Sequence, residues 1–195
     1  MIGVYTKNVG GIWFGVACSE QDVFATAFRH KEQETLKKLL SSIPLNVPFQ
    51  VLPEPTGFGE KVLSTVKNVY DGKNSPQTFS LATEHLTGYT QRVLEVTSKI
   101  PTGYTSYYGS IAKIAGGSPR AVGRVMASNP FPPIVPCHRV VNSDFTLGGY
   151  GGGVNTKLEI LTREKRGHKF PQLIRVGDKK LQVFPVEFAL RKPEA

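Results

Sequence analysis

In the first thirty residues, apolar side chains come in short runs, not at helical steps. The stretches "MIGVYTK", "GIWFGVACS" and "DVFATAFRH" are rich in β-branched and aromatic residues, and this pattern predicts three strands. Asn8, Gly10 and Gly11 supply the first turn, and Glu20-Gln21-Asp22 the second. From Glu32 to Leu40 the apolar step lengthens to that of a helix, with Leu36, Leu39 and Leu40 on one side. Residues 41–57 then hold four prolines, which predicts an irregular connection with at most one short strand. A second helix is expected over Glu60–Tyr70, carrying Val62, Val66 and Val69 and ending at Asp71-Gly72.

The texture changes after about residue 85. Residues 88–99 place Tyr89, Val93 and Val96 at helical spacing, and Pro101 and Gly103 end that helix. "SYYGSIAKIAGG" reads as a further short helix stopped by Gly116-Gly117. Ser118 then suits an N-cap and Pro119 a first helical position, opening "PRAVGRVMASN". Two short helices across a glycine turn fit a helix-turn-helix. The second carries the small residues Ala121, Gly123, Ala127 and Ser128. Two readings stay open for it: tight packing on a neighbouring helix, or close approach to DNA with Arg120 and Arg124 near phosphates or bases.

"NSDFTLGGYGGG" has five glycines among residues 148–153 around Tyr150. It lacks the context of a phosphate-binding loop and reads either as a mobile pocket wall or as a plain surface loop. In "NTKLEILTREKRG", Asn155 is expected to cap a last helix. Leu158, Leu161 and Glu164 follow one step of three, so Glu164 turns toward the buried side and needs a partner there. Glu159 and Arg163 pair along the surface. The tail "QLIRVGDKKLQVFPVEF" predicts two strands joined at Gly177-Asp178.

The bulk numbers narrow the class. The chain has 195 residues, enough for one large domain or two small ones, and 39% hydrophobic against 20% charged residues suits a soluble protein with a real core. Two distant cysteines, Cys18 and Cys137, exclude a disulfide framework and favour a reducing, intracellular setting. No basic segment leads into an apolar stretch at the N-terminus, and no apolar run approaches a membrane span, so neither a signal peptide nor a membrane partner is expected. The net charge of +9 favours a polyanionic partner, nucleic acid first.

Candidate chemistry centres on "VPCHRVV" at residues 135–141. A nucleophilic cysteine needs its thiolate, and hence a base or positive field. His138 can serve Cys137 directly or through a water if a turn makes them converge, and Glu164 can orient the imidazole. Two alternatives stand beside this one. Cys137 can be a buried structural residue, or a zinc ligand, although Cys18, His30 and His85 do not complete a recognisable set.

Several stretches, in order, carry a resemblance. "PCHRVV", "YTQRVLEVTSKIPTGYTSYYGSIAKIAG", "SPRAVGRVMASNPFPPIVPCHRVV" and "LGGYGGGVNTKLEILTRE" together resemble the O6-alkylguanine-DNA alkyltransferases, or methylated-DNA–protein-cysteine methyltransferases, from about residue 86 to 166. The resemblance implies an α+β chain of two domains. These would be a ribonuclease-H-like sheet with helix at 1–84 and a mostly helical winged helix-turn-helix domain at 85–166. Residues 167–195 would form a C-terminal extension with a hairpin.

The implied activity is direct-reversal DNA repair. The alkyl group of O6-alkylguanine, and of O4-methylthymine, passes irreversibly to Cys137 after the nucleotide flips out of the duplex. The resemblance makes His138 the base, acting through a water, and Glu164 its orienter. Tyr108 donates to the departing guanine, and Asn129 braces the active-site loop. Val135 and Val140 offer backbone groups near the pocket, and Tyr150 lies on the closing loop. Gly151 stands where many relatives have a serine. Arg120 fills the gap left by the flipped base, and Ala121, Gly123 and Arg124 lie with it on a helix in the minor groove. The expected partner is double-stranded DNA bearing the lesion, met by a monomer, with cooperative binding along DNA left open. No cofactor and no metal are implied. The compartment would be the cytoplasm or nucleoid, or the nucleus in a eukaryote. The alternative within the same superfamily is a protein that binds alkyl lesions without transfer, and there the nucleophile is replaced.

Overall fold

The computed structural model describes residues 1–75 and 78–191. Two residues of the expected 1–84 domain, 76 and 77, and the last four of the extension, 192–195, lie outside the described residues. The chain forms two compact units. The first holds Met1–Tyr70, Ser75–His85 and Pro130–Ile134, and the second holds Asp71–Asn74, Leu86–Asn129 and the chain from Val135 onward. The change of texture near residue 85 thus has two exceptions, both short segments grouped with the unit to which they are not contiguous in sequence.

In the first unit, β1 (Ile2–Val9), β2 (Ile12–Cys18) and β3 (Asp22–Arg29) form an antiparallel meander. Gly10 and Gly11 both take positive φ, the requirement of a two-residue hairpin turn. Helix α1 (Glu32–Leu40) leads to β4 (Phe49–Val51), which pairs parallel to β1. Helix α2 (Gly57–Tyr70) leads to β5 (Ser80–Leu81), parallel to β3. The sheet order is β4-β1-β2-β3-β5. Alternation along the strands gives each face its own helix. Ala17, Ala25, Ala27 and Ile2 pack with Leu39 and Ile43 of the α1 side. A Cβ on Gly15 would stand 2.7 Å from Leu39 Cδ1, so the missing side chain lets α1 sit close. On the other face, Tyr70 of α2 meets Phe14 and Phe28 edge-on at 5.3 and 5.2 Å. Leu40 is exposed, contrary to its expected place beside Leu36 and Leu39. Thr35 is buried instead, and its hydroxyl donates to the carbonyls of Lys31 and Trp13.

The second unit begins with α3 (Gly88–Ser98), β6 (Tyr104–Tyr107), α4 (Tyr108–Ala115) and α5 (Pro119–Ser128). After a single 3-10 turn at Cys137–Arg139 come β7 (Val140–Val141) and α6 (Val154–Arg163). The tail contributes β8 (Gln172–Val176), β9 (Lys179–Pro185) and α7 (Val186–Leu190). A four-stranded sheet, β7-β6-β9-β8, runs through this unit, so it is less purely helical than expected. The stretch "SYYGSIAKIAGG" divides: Ser106 and Tyr107 end strand β6, because β7 pairs with them and β9 with Tyr104 and Thr105 just before, edges that the helical pattern alone does not reveal. The expected tail hairpin is present as β8–β9, and β9 pairs with β6, which ties the tail into the unit. Val186 and Ala189 of α7 join Val141, Leu147 and Leu161 in one core.

The helix-turn-helix has the local chemistry its sequence calls for. Gly116 and Gly117 both have positive φ, and the Ser118 hydroxyl accepts from the Ala121 N–H at 3.2 Å. Val122, Val125 and Met126 form the buried side of α5, leaving Arg120 and Arg124 exposed. Helix α6 starts at Val154 with Gly153 before it, so Asn155 lies inside the first turn and does not cap it. No helix among the described residues is long and apolar enough to cross a membrane.

Candidate active site

Pro136 delivers the chain into the one-turn 3-10 helix Cys137–Arg139. With about three residues per turn, three successive side chains spread to three directions. Cys137 lines a cavity of about 390 Å3, whereas His138 and Arg139 turn into the protein interior. Asn129, at the end of α5, donates from Nδ2 to the Val135 carbonyl at 3.0 Å and so fixes the start of this turn. The Cys137 N–H donates to the same carbonyl at 2.8 Å.

Behind the turn lies a buried charge cluster. Glu164, fully buried at the C-terminal end of α6, accepts from His138 Nε2 at 2.9 Å. Arg139 grips the same carboxylate, with Nε donating to Oε2 at 2.9 Å and Nη2 to Oε1 at 2.8 Å. Its remaining donors reach the Ile100 carbonyl at 2.7 Å and the Thr102 hydroxyl at 3.0 Å. This two-point grip is the strongest kind of ion pair and satisfies both buried charges. Lys157 is also fully buried, donating to the carbonyls of Val140 at 2.6 Å and of Leu147.

The electrostatics follow from these contacts. Burial alone would raise the Glu164 carboxyl, but its cationic and hydrogen-bonding neighbours outweigh that and bring it from 4.5 to about 2. Burial holds the His138 imidazole below its ordinary 6.5, although Glu164 pulls the other way, and Arg139 and Lys157 add to the lowering. Arg139 is therefore the cation that balances Glu164, and His138 stays neutral. An ionised carboxylate only accepts, so the proton of neutral His138 sits on Nε2. His138 Nδ1 then carries a lone pair, and it is buried with no hydrogen-bond partner among the described residues. Tyr108 is held above its ordinary value, first by burial and then by Cys137 beside it, so its hydroxyl keeps its proton. Cys18 does not line this cavity, and burial pushes its thiol up to about 11, which leaves it inert at neutral pH.

The cavity brings together Cys137, Tyr108, Gly123, Tyr150 and Gly151, with Met126, Ala127 and Gly149 completing its lining. Its volume falls in the range of about 300–1,000 Å3 usual for small-molecule pockets. Arg120 stands in an adjoining groove of about 610 Å3, which shares Tyr108, Gly123 and Gly149 with the cavity. Ala121 and Arg124 lie on the outer side of α5 and line neither space. Val135 and Val140 are fully or almost fully buried and do not line the cavity either; the Val135 carbonyl is occupied by Asn129 and Cys137, and the Val140 carbonyl by Lys157.

Sequence reasoning missed Arg139, Lys157 and Met126. A signal for the first two existed. Glu164 demanded a partner, and Arg139 follows His138 directly. Positions 157, 160, 161 and 164 make the i, i+3, i+4, i+7 stripe of α6, all four buried, although a lysine at 157 reads as polar in the pattern alone. Among the described residues, no group of three or more His, Cys, Asp or Glu is placed to hold a metal ion.

Residues 88–166 match the family model described as "6-O-methylguanine DNA methyltransferase, DNA binding domain". The fold is similar to the crystal structure of the O6-methylguanine-DNA methyltransferase from Pyrococcus kodakaraensis, at 31% identity and a TM-score of 0.63, across 84% of this chain and 99% of that one. The chain belongs to the O6-methylguanine-DNA methyltransferase family. Other members are similar in part or throughout. The methylated-DNA–protein-cysteine methyltransferase of Methanothermobacter thermautotrophicus is 50% identical over 78 residues, 40% of this chain. That match spans 44% of the relative's length. A Mycobacterium tuberculosis methyltransferase solved in complex with DNA is 26% identical, with a TM-score of 0.64 over 84% of this chain and 92% of that one.

Proposed function

We propose that this methyltransferase-family protein repairs alkylated duplex DNA by direct reversal, moving the alkyl group of O6-alkylguanine to Cys137 in a single turnover. The observation that carries the reading is Cys137 lining a cavity, with a neutral His138 held behind it by Glu164 and Arg139. His138 Nδ1 takes the thiol proton through a water, and the resulting imidazolium is stabilised by Glu164 at 2.9 Å. The Cys137 thiolate attacks the alkyl carbon. A sulfur–carbon bond forms as the carbon–O6 bond breaks, and the electron pair stays with the guanine. Tyr108, still protonated in the cavity wall, donates its proton to the departing base, and the His138 proton restores the phenol. The thioether is stable, so each molecule acts once. No cofactor enters the balance.

The lesion must leave the duplex to reach Cys137, a residue only 6% exposed. Arg120, exposed in the adjoining groove, fills the gap in the base stack. Ala121, Gly123 and Arg124 lie with it along the minor groove, where small side chains admit the sugar–phosphate walls. Asn129 fixes the active-site turn, and the Val135 and Val140 backbones hold that turn from within. Tyr150 closes over the base, with Gly151 beside it in the cavity lining. The protein acts as a monomer on double-stranded DNA inside the cell.

The deciding experiment incubates the protein with a duplex carrying labelled O6-methylguanine and locates the label by peptide mass. The label is expected on the Cys137 peptide. Cys137→Ala is expected to lose transfer and keep lesion binding. A label on another residue, or none, overturns the reading.

A further inference from the structure

We infer that the β8–β9 hairpin is a second DNA-contacting element, holding backbone phosphates beside the helix-turn-helix; this rests on the repair reading above. The hairpin lies beyond residues 88–166, the stretch that matches the family's DNA-binding domain. It is nevertheless built into the same unit, since β9 pairs with β6 and packs along α4.

Its place is set by one contact. Lys179 Nζ donates to the Ile114 carbonyl at 3.1 Å, in the last turn of α4. A cation there also suits the negative end of the helix dipole. Ile114 stands six residues before Arg120, on the helix that turns through Gly116-Gly117 into α5. The hairpin tip is therefore tethered to the helix-turn-helix itself. Lys113, exposed in the same turn of α4, extends the basic surface between them.

The two faces of the hairpin differ. Leu181 and Val183 are buried, and Ile174 and Val176 half-buried, on the face that packs inward. On the other face, Arg175 and Lys180 are exposed and directly opposite each other in the antiparallel register, followed by the exposed pair Leu173 and Gln182. Like charges directly across a ladder destabilise it. The Arg175 Nε donates to the Gly177 carbonyl at 3.0 Å, which holds the guanidinium at the turn and keeps it near Lys180. A row of phosphates relieves this repulsion, because it supplies the missing negative charge to both residues at once. Asp178, at the turn, is the hairpin's single carboxylate, against Arg175, Lys179 and Lys180.

The charge of the whole chain agrees with this location. Residues 1–85 carry eight Lys and Arg and eight Asp and Glu, whereas residues 86–195 carry sixteen and seven. The entire excess of +9 lies in the second stretch, and residues 165–191 alone hold seven basic side chains against two acidic ones. A surface of this sign, joined to the helices that carry Arg120 and Arg124, fits a polyanion that already lies across those helices.

The test uses the full chain with Arg175→Gln and Lys180→Gln together, neither of which lines the Cys137 cavity. Binding to an undamaged duplex is measured over a range of salt concentrations, alongside the rate of alkyl transfer from free O6-benzylguanine. Each lost phosphate contact reduces the slope of log affinity against log salt by about 0.9. The double variant is expected to lose about 1 to 2 in slope and roughly tenfold in affinity at low salt, with its rate on the free base unchanged. Lys113→Gln added to the pair is expected to reduce the slope further. An unchanged slope overturns the inference, even if affinity falls. A parallel loss of the free-base reaction also overturns it, because the hairpin would then be supporting the fold. Failure of the wild-type protein to label Cys137 would instead sink the repair reading and leave the salt dependence to be judged by itself.

Discussion

Both units bury neutral hydroxyls, but they differ in whether they also bury charge. Among the described residues, the polar side chains buried in the first unit are Thr26, Thr35 and Thr65, all neutral hydroxyls. The second unit buries His138, Arg139, Lys157, Glu164 and Glu187, five titratable or charged groups. A threonine hydroxyl is satisfied by one backbone carbonyl, as Thr35 is by Lys31. A buried carboxylate needs a countercharge and several donors, and that demand organises the whole region behind Cys137. The first unit is held by apolar packing of sheet on helix. The second spends part of its stability on a charge cluster directly behind the cavity that Cys137 lines.

Four measurements would break or sharpen this contrast. The largest effect is expected from Arg139→Ala. Glu164 would keep a buried charge without its main cation, which costs about 3–5 kcal/mol of stability. In chemical denaturation the variant should unfold far earlier, and the molecules that stay folded should transfer slowly, because His138 would be drawn toward protonation. Normal stability and rate would show that His138 alone suffices for Glu164. Next comes Leu39→Ala in the first unit, where a fully buried leucine packs over Gly15. It should cost about 2–5 kcal/mol, yet leave the rate per folded molecule on a free alkylated base unchanged. A slower reaction would mean that the first unit takes part in the chemistry.

The third measurement is pH. His138 is lowered from 6.5 in the folded state, so the unfolded chain binds its proton first as the solution is acidified. Glu164 is lowered from 4.5 to about 2, so again the unfolded chain binds the proton first. Both contributions are complete above the unfolded values. Stability should therefore begin to fall below about pH 6.5, where the unfolded chain takes up the His138 proton, and fall again between 4.5 and 2, where it takes up the Glu164 proton. Glu164→Gln should flatten the lower branch, and persistence of that branch in the variant would assign it elsewhere. The smallest effect is expected from Lys7→Gln in the first unit. Its partner Glu60 is 3.1 Å away, but both side chains are about half exposed. Exposed pairs contribute about 0.2–1 kcal/mol, so the melting temperature should hardly move. A large shift would show that charge matters in the first unit after all.

Much of the fold was legible where local pattern and packing agree. The three-stranded meander, α1, α2 and the capped α5 follow from strand runs, helical spacing, Gly10-Gly11 and Ser118. Legibility failed where a distant edge decides the conformation. Ser106 and Tyr107 are strand and not helix because Val140 and Val141 of β7 pair with them, while β9, some eighty residues later, pairs with Tyr104 and Thr105. Leu40 is exposed because α1 turns Thr35 and Leu39 onto Gly15, a choice made by the close approach of the sheet. At the site, the spacing of α6 put Glu164 on the buried side, and the adjacency of Cys137 and His138 marked the turn that lines the cavity. The same spacing concealed Lys157, since a lysine on an apolar stripe reads as an interruption until its two carbonyl partners are in place.

The sequence by itself determined the periodic elements, the caps and turns, the basic character of the second half and the order of the motifs around Cys137. These depend on residue type and short spacing, which local physics fixes. Only the tertiary structure decided which nitrogen of His138 is free, which cation balances Glu164 and which face of the tail hairpin meets solvent. Each of those depends on groups 25 or more residues apart meeting in a medium where an unpaired charge is costly.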